Sequence, residues 1–183
     1  MAENNISWVI HVSLLQSNKL PEAKSMKKAK QFLLTNANEF VGESLGVSEW
    51  VDIDQEQVNI FGKVTHWEKP GHVDPDYGKT TPYGGTLIHG FHMVALCSYF
   101  FESAGLRPED GDYSLNYGLN KVRMLQPVVI NDGIRLRSHV SLLGTVDKGH
   151  GQQLMTTCHQ VEVEGQQGHA LYAEYLSYWF PKQ

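Results

Sequence analysis

The stretch from Thr86 to about Ala104 constrains this chain more than any other. Leu87, Ile88, Phe91, Val94, Ala95, Leu96, Tyr99 and Phe100 leave it almost no polar face, and a helix of that kind has to be enclosed by other structure. It opens on His89-Gly90 and meets Gly105 at its end, a residue suited to the left-handed turn that closes helices. Four strand-like segments follow, at residues 114–126, 133–143, 151–164 and 169–180. The second alternates most cleanly, with Ile134, Leu136, Ser138, Val140 and Leu142 against Arg135, Arg137, His139 and Ser141. Gly165-Gln166-Gln167-Gly168 supplies a hairpin turn between the last two. The aromatic run Tyr172, Tyr175, Tyr178, Trp179 and Phe180 reads as sheet packing. One buried helix followed by antiparallel strands is an α+β pattern, a curved sheet wrapped around the long buried helix.

The N-terminal part is less patterned. Pro21-Glu22 opens a helix expected to run to about Asn36, with Met26, Ala29 and Leu33 on one side. Residues 1–38 therefore read as an arm and helix, and 39–183 as the domain. Met26 offers an alternative start, in which case the arm is expected to be disordered. Glu49 to Ile53 reads as a short strand. Asp54, with Gln57 three residues on, marks a helix start, and that helix is expected to bury Val58, Phe61 and Val64. Residues 65–85 are polar and rich in Pro and Gly, which predicts a long loop. Loops of that length in compact domains tend to carry function.

Composition excludes several classes. With 183 residues, 41% hydrophobic and 19% charged, the chain is an ordinary globular one, long enough to bury a core. Its net charge is −5 and it has no Lys/Arg run longer than Lys27-Lys28, which argues against nucleic acid or an anionic membrane as a main partner. Cys97 and Cys158 form no CxxC pair and are expected as small core residues in a reducing cytoplasm. Residues 6–15 are mildly apolar but follow Glu3 and precede no small-residue cleavage site, so no targeting segment is expected. No run approaches the ~18 apolar residues of a membrane span.

The chemistry concentrates between Phe61 and Ser98. His72 stands in Gly71-His72-Val73-Asp74-Pro75, followed by the loop Pro82-Tyr83-Gly84-Gly85 and then the helix start at His89-Gly90. A histidine supplies a base near neutral pH. A helix start supplies unpaired N–H groups and a partial positive charge. His89 and His92, even with His66 and His72, lack a nearby carboxylate ligand, so no metal is expected. His89 is expected instead to order the turn by hydrogen bonding, and Asp74 to cap a short turn beside the site. Ser98 either bonds a carbonyl four residues back or faces the substrate.

These residues carry a family resemblance. Phe61, then His72-Val73-Asp74-Pro75, then Gly84-Gly85-Thr86-Leu87-Ile88-His89-Gly90-Phe91, resembles the MaoC-like dehydratases, the hot-dog (R)-specific enoyl-CoA hydratases. The subgroup is similar to the nodulation protein N type. The likeness continues through Asn116-Tyr117-Gly118-Leu119-Asn120-Lys121-Val122-Arg123 and Gln126-Pro127-Val128. It implies a single hot-dog domain, a homodimer, an acyl-CoA or acyl-carrier-protein thioester as substrate, and no cofactor. His72 matches the catalytic histidine, Gly90 the glycine whose N–H binds the thioester carbonyl, and Ser98 a helix serine near the site. The chemistry agrees, because hydration of a 2-enoyl thioester builds negative charge on the carbonyl oxygen, and a fixed N–H at a helix start stabilises it. A glycine at position 90 would also let substrate approach the backbone closely.

The resemblance fails at one position. The family pairs its histidine with an aspartate five residues earlier, and here that residue is Trp67. Loss of one acid–base partner typically costs ~10²–10⁴-fold in rate. Glu68 and His66 are adjacent substitutes, and Trp67, Glu68 and Ser98 are the expected substrate-side residues. Three functions follow: a hydratase or dehydratase with an altered acid–base pair, a hot-dog thioesterase, or a non-catalytic acyl-thioester-binding subunit.

Overall fold

The computed structural model describes residues 31–183; the arm and most of the helix expected from Pro21 lie outside them. A 3-10 helix at Leu34–Phe40 comes first. Strands β1 (Ser44–Val47), β2 (Val51–Ile53), β3 (Gly111–Met124), β4 (Ile134–Gly149), β5 (Gln152–Val163) and β6 (Leu171–Pro181) make one sheet in the order β1-β4-β5-β6-β3. β2 also pairs with β4. Every pairing is antiparallel. β3 and β6 shift register at three places, β4 and β5 at two. Such bulges bend strands and increase their twist, which curves the sheet around its helices into a hot-dog fold.

The alternation of β4 decides which face is inside. Leu136, Ser138, Val140 and Leu142 are buried, whereas Arg135 is exposed and Arg137 and His139 are half-buried. The buried face receives Met93, Cys97 and Phe100, together with Val128, Ile130, Val161, Leu171 and Ala173. A second cluster joins Leu34 and Ala37 to Phe101, Met155 and Trp179. Cys97 and Cys158 are both free and buried, and burial pushes the Cys97 thiol up to about 12.

Three elements differ from the sequence reading. The apolar stretch is not one helix from Thr86. Residues 86–89 run extended, with Leu87 bridged to Val129, and two short helices follow, α4 (Gly90–Ala95) and α5 (Cys97–Ser103). Nor are they enclosed on all sides, since Phe91 is 69% and Tyr99 51% exposed. The expected 65–85 loop contains two short helices, α2 (Pro70–Val73) and α3 (Pro75–Thr80). Proline in the first turn presets φ and lacks only an N–H that would be unpaired there anyway. Asp74 then caps α3, accepting from the N–H groups of Asp76 and Tyr77 at 3.0 and 3.1 Å. The helix after Asp54, α1 (Gln55–Val64), does carry the reciprocal cap: Gln57 N–H to Asp54 and Asp54 N–H to Gln57, both 2.9 Å. It buries Val58 but leaves Val64 67% exposed.

Candidate active site

The site is built where α1 ends and α4 begins. α1 closes with His66 in the left-handed region, φ 55°. The His66 N–H bonds the Lys63 carbonyl at 3.2 Å and the Trp67 N–H bonds the Gly62 carbonyl at 2.8 Å, the two hydrogen bonds of a Schellman turn. That turn fixes the Trp67 backbone, and its carbonyl receives the His89 Nε2 at 3.2 Å. Gly62 suits this closure, since a Cβ there would lie 3.2 Å from Val73 and 3.3 Å from the Trp67 carbonyl and crowd both.

His72 sits on α2, not on an open loop. Gln55, at the first position of α1, donates to the His72 carbonyl at 2.7 Å and accepts from the Thr86 hydroxyl. One side chain therefore ties α1, α2 and the segment leading into α4. The Leu87 N–H bonds the Gly71 carbonyl at 2.9 Å, and the Leu87 carbonyl in turn meets His72 Nδ1 at 2.8 Å. A carbonyl can only accept, so Nδ1 carries the hydrogen and Nε2 is left with the free lone pair. Nε2 is thereby the ring nitrogen available to accept a proton.

Two more histidines pack beside it. The His89 ring stacks on His72 with centroids 4.0 Å apart and 25° between planes. His92 lies parallel to Phe61 at 4.6 Å, and Phe61 leans on His89 at 5.2 Å. Burial holds His89 below the usual histidine range, against the opposing pull of the Trp67 carbonyl and with His72 pushing the same way. Burial also lowers His92, helped by His89. His89 is the N-cap residue of α4, but its side chain makes no capping hydrogen bond; its N–H goes to Trp67 instead.

Phe61, Thr65, Trp67, His72, His89, Gly90 and Phe91 line one cavity of about 250 Å³. The sequence candidates Trp67, His72 and Gly90 thus share it. Glu68 does not line it and is exposed, as is His66. Ser98 is also elsewhere, eight residues along the helical segment from Gly90, or ~12 Å at 1.5 Å per residue. Its hydroxyl lies beside the Tyr175 phenol, which donates to Asn116. The glycine at position 90 has a packing reason as well. A Cβ there would come within 2.9 Å of Met124 Cγ and Cε, so its absence lets the end of β3 close on α4. Sequence reasoning missed Gln55, which the helix cap at Asp54 placed one residue away, and the stacking role of His89. A larger cleft, about 530 Å³, is lined by Asp52, Asp54, Gln57, Asn131, Asp132 and Arg135 among others, without a histidine or cysteine. Among the described residues no cluster of His, Cys, Asp and Glu is placed to hold a metal ion.

An antiparallel sheet curved over a helical layer, with a histidine pair beside a helix start, is the arrangement of a hot-dog protein. The MaoC-like domain model matches residues 36–164, and the chain belongs to that family. It is 39% identical over 137 residues to 3-hydroxyacyl-thioester dehydratase Z of Mycobacterium tuberculosis, covering 73% of this chain and 86% of that one. It is 33% identical over 138 residues to Nodulation protein N of Rhizobium leguminosarum bv. viciae, covering 75% and 84%. Among solved structures, R-hydratase PhaJ1 of Pseudomonas aeruginosa superposes with a TM-score of 0.56 over 76% of this chain and 88% of that one. Its 17% identity makes this a likeness of fold.

Proposed function

We propose that this protein hydrates 2-enoyl thioesters, or dehydrates 3-hydroxyacyl thioesters, with His72 as the acid–base group and the Gly90 N–H as the donor to the thioester carbonyl. The observation that carries the reading is the Leu87 carbonyl on His72 Nδ1, which leaves Nε2 as the base in a cavity that also reaches the start of α4. In the hydration direction a water proton passes to Nε2 as the water oxygen bonds the β carbon. The negative charge that collects on the thioester oxygen is met by the Gly90 N–H. The α carbon then takes a proton, and the carbonyl re-forms.

Trp67 limits this chemistry. No carboxylate is among the residues that line the cavity, so His72 has to move both protons. We therefore expect slow turnover with thioester binding retained. A second reading, a non-catalytic acyl-thioester-binding subunit, is favoured by that same lining; a thioesterase with His72 positioning water is a third. The test is loss of the conjugated-thioester absorbance of a short trans-2-enoyl-CoA, with wild type and His72→Ala. Hydration that His72→Ala abolishes in a folded protein supports the reading. Equal rates, or release of free CoA in place of hydration, overturn it.

We also place the protein in the cytoplasm, in keeping with two unpaired cysteines, and as a homodimer. The dimer reading rests on β3, which forms one edge of the sheet. Leu115, Tyr117 and Leu119 are exposed along it, as is Met124 at its end. An edge that long and apolar is a template for pairing with a second chain. Among the described residues no helix is long and apolar enough to cross a membrane.

A further inference from the structure

His89 is 4% exposed, sits against His72 and is not needed for capping α4. Its ring is fastened at one end only. Nε2 donates to the Trp67 carbonyl at 3.2 Å, while Nδ1 is buried with no hydrogen-bond partner. A buried acceptor left unpaired costs about 1–3 kcal/mol. A side chain serving packing alone, such as leucine or phenylalanine, would avoid that cost. What the imidazole adds is a flat face against His72 and one N–H on the Schellman turn of α1.

We propose that His89 is a positioning residue: its ring, anchored to the Trp67 carbonyl, is the wall that keeps the His72 imidazole in the plane where Nδ1 meets Leu87 and Nε2 faces the cavity. This deepens the reading of His72 as the acid–base group and rests on it for its functional meaning, but its geometry stands alone. One hydrogen bond to Leu87 fixes the Nδ1 atom of His72 and still leaves the ring free to tilt about that contact. The face-to-face contact at 4.0 Å removes the tilt. The groups around His89 suit a neutral wall. Phe61, the Trp67 carbonyl, His72 and, beyond Phe61, His92 surround it. Burial, which favours the uncharged form of His89, keeps a second positive charge away from His72 when that ring takes a proton. The anchor also makes the Trp67 backbone part of the catalytic frame, whatever the indole does.

The test reads His72 directly, so it does not depend on turnover. In protein labelled with ¹⁵N-histidine, the His72 ring shifts report which nitrogen carries the hydrogen. Wild type should show the Nδ1–H form. His89→Gln keeps an N–H for the Trp67 carbonyl but removes the stack, and His72 should move toward the Nε2–H form that free imidazole side chains prefer. His89→Phe keeps the stack and should keep the Nδ1–H form, even if the lost anchor lowers stability. If hydration is measurable, His89→Gln should lower kcat about tenfold or more with little change in KM, and His89→Phe should restore most of it. Unchanged His72 shifts in folded His89→Gln would overturn the proposal, as would loss of the Nδ1–H form in folded His89→Phe. Failure of the enzyme reading would show separately, as shifts that behave as expected in a protein with no hydration in any variant.

Discussion

Acid should weaken this protein through a residue that does not line the His72 cavity. His159 of β5 is 0% exposed and sits between the hydroxyls of Ser138, 3.3 Å from Nδ1, and Thr157, 3.2 Å from Nε2, with the Tyr175 ring edge-on at 5.8 Å. No carboxylate touches it among these partners, so nothing there compensates a positive charge. Burial lowers its folded-state pKa from 6.5 to about 4. The sign follows from proton counting. Between those two values the unfolded chain binds a proton that the folded chain refuses, so stability rises with pH across the window. The contribution is complete above the unfolded value and drains away as pH falls toward the folded one.

The full difference between 6.5 and about 4 is worth about 3 kcal/mol, at 1.36 kcal/mol for each tenfold change in proton affinity. At pH 5, where the folded ring is still mostly neutral, about 2 kcal/mol of it is already lost. The measurement is urea unfolding at pH 7.5 and pH 5, at one protein concentration, on wild type and His159→Gln. Gln can still hydrogen-bond one of the two hydroxyls but does not titrate. It should be less stable at pH 7.5 and should lose about 2 kcal/mol less than wild type on going to pH 5. His89, His92 and His169 are lowered too and act in the same direction, which is why the variant difference carries the argument. Parallel losses in the two proteins would refute it, since His159 would then take up its proton in the folded state or meet water there.

Three other outcomes are expected. Trp67→Asp supplies a carboxylate five residues before His72, and enoyl-CoA hydration should rise by ~10²-fold or more, the size of one acid–base partner; a wild type already that fast would contradict the role given to Trp67. Gly90→Ala should push Met124 aside and destabilise by ~1 kcal/mol, and Met124→Ala should cancel most of that cost in a double-mutant cycle. Because alanine keeps the N–H, thioester binding should survive in the pair. Sedimentation at micromolar concentration should find a dimer, and a charged pair on the edge strand, Leu115→Glu with Leu119→Glu, should shift it toward monomer.

How much of this was legible in the sequence depends on what each signal measures. The alternation in β4 reports a face, and the buried face is the one it names. The Asp54-x-x-Gln57 signature reports local backbone chemistry and appears as a reciprocal cap. The apolar run from Thr86 reports hydrophobicity without a period, and that cannot separate a helix from an extended lead-in. It also cannot separate a residue buried within its own chain from one such as Phe91 that remains exposed. The polar stretch at 65–85 looked structureless because Pro and Gly are counted as breakers, yet Pro70 and Pro75 stand where a helix starts and assist it. Ser98 and Glu68 were placed by spacing along the chain. Spacing fixes neither the direction of a side chain nor the break at Leu96 that separates α4 from α5.

A substitution at Trp67 changes the side chain and spares the backbone. In this fold the backbone of residue 67 has two duties that no side chain performs. Its N–H closes α1 on Gly62, and its carbonyl holds His89. Both survive any side chain that tolerates the turn, so the frame around His72 persists with tryptophan in the place of a carboxylate. The indole is 54% exposed and lines the cavity without filling it. A chain can thus lose the second proton carrier and still keep its base oriented, its helix start open and its cavity formed. Under the proposed function, thioester binding and rapid hydration are therefore expected to be separable. It also makes one residue, changed back to aspartate, the sharpest probe of whether the preserved frame is sufficient for catalysis.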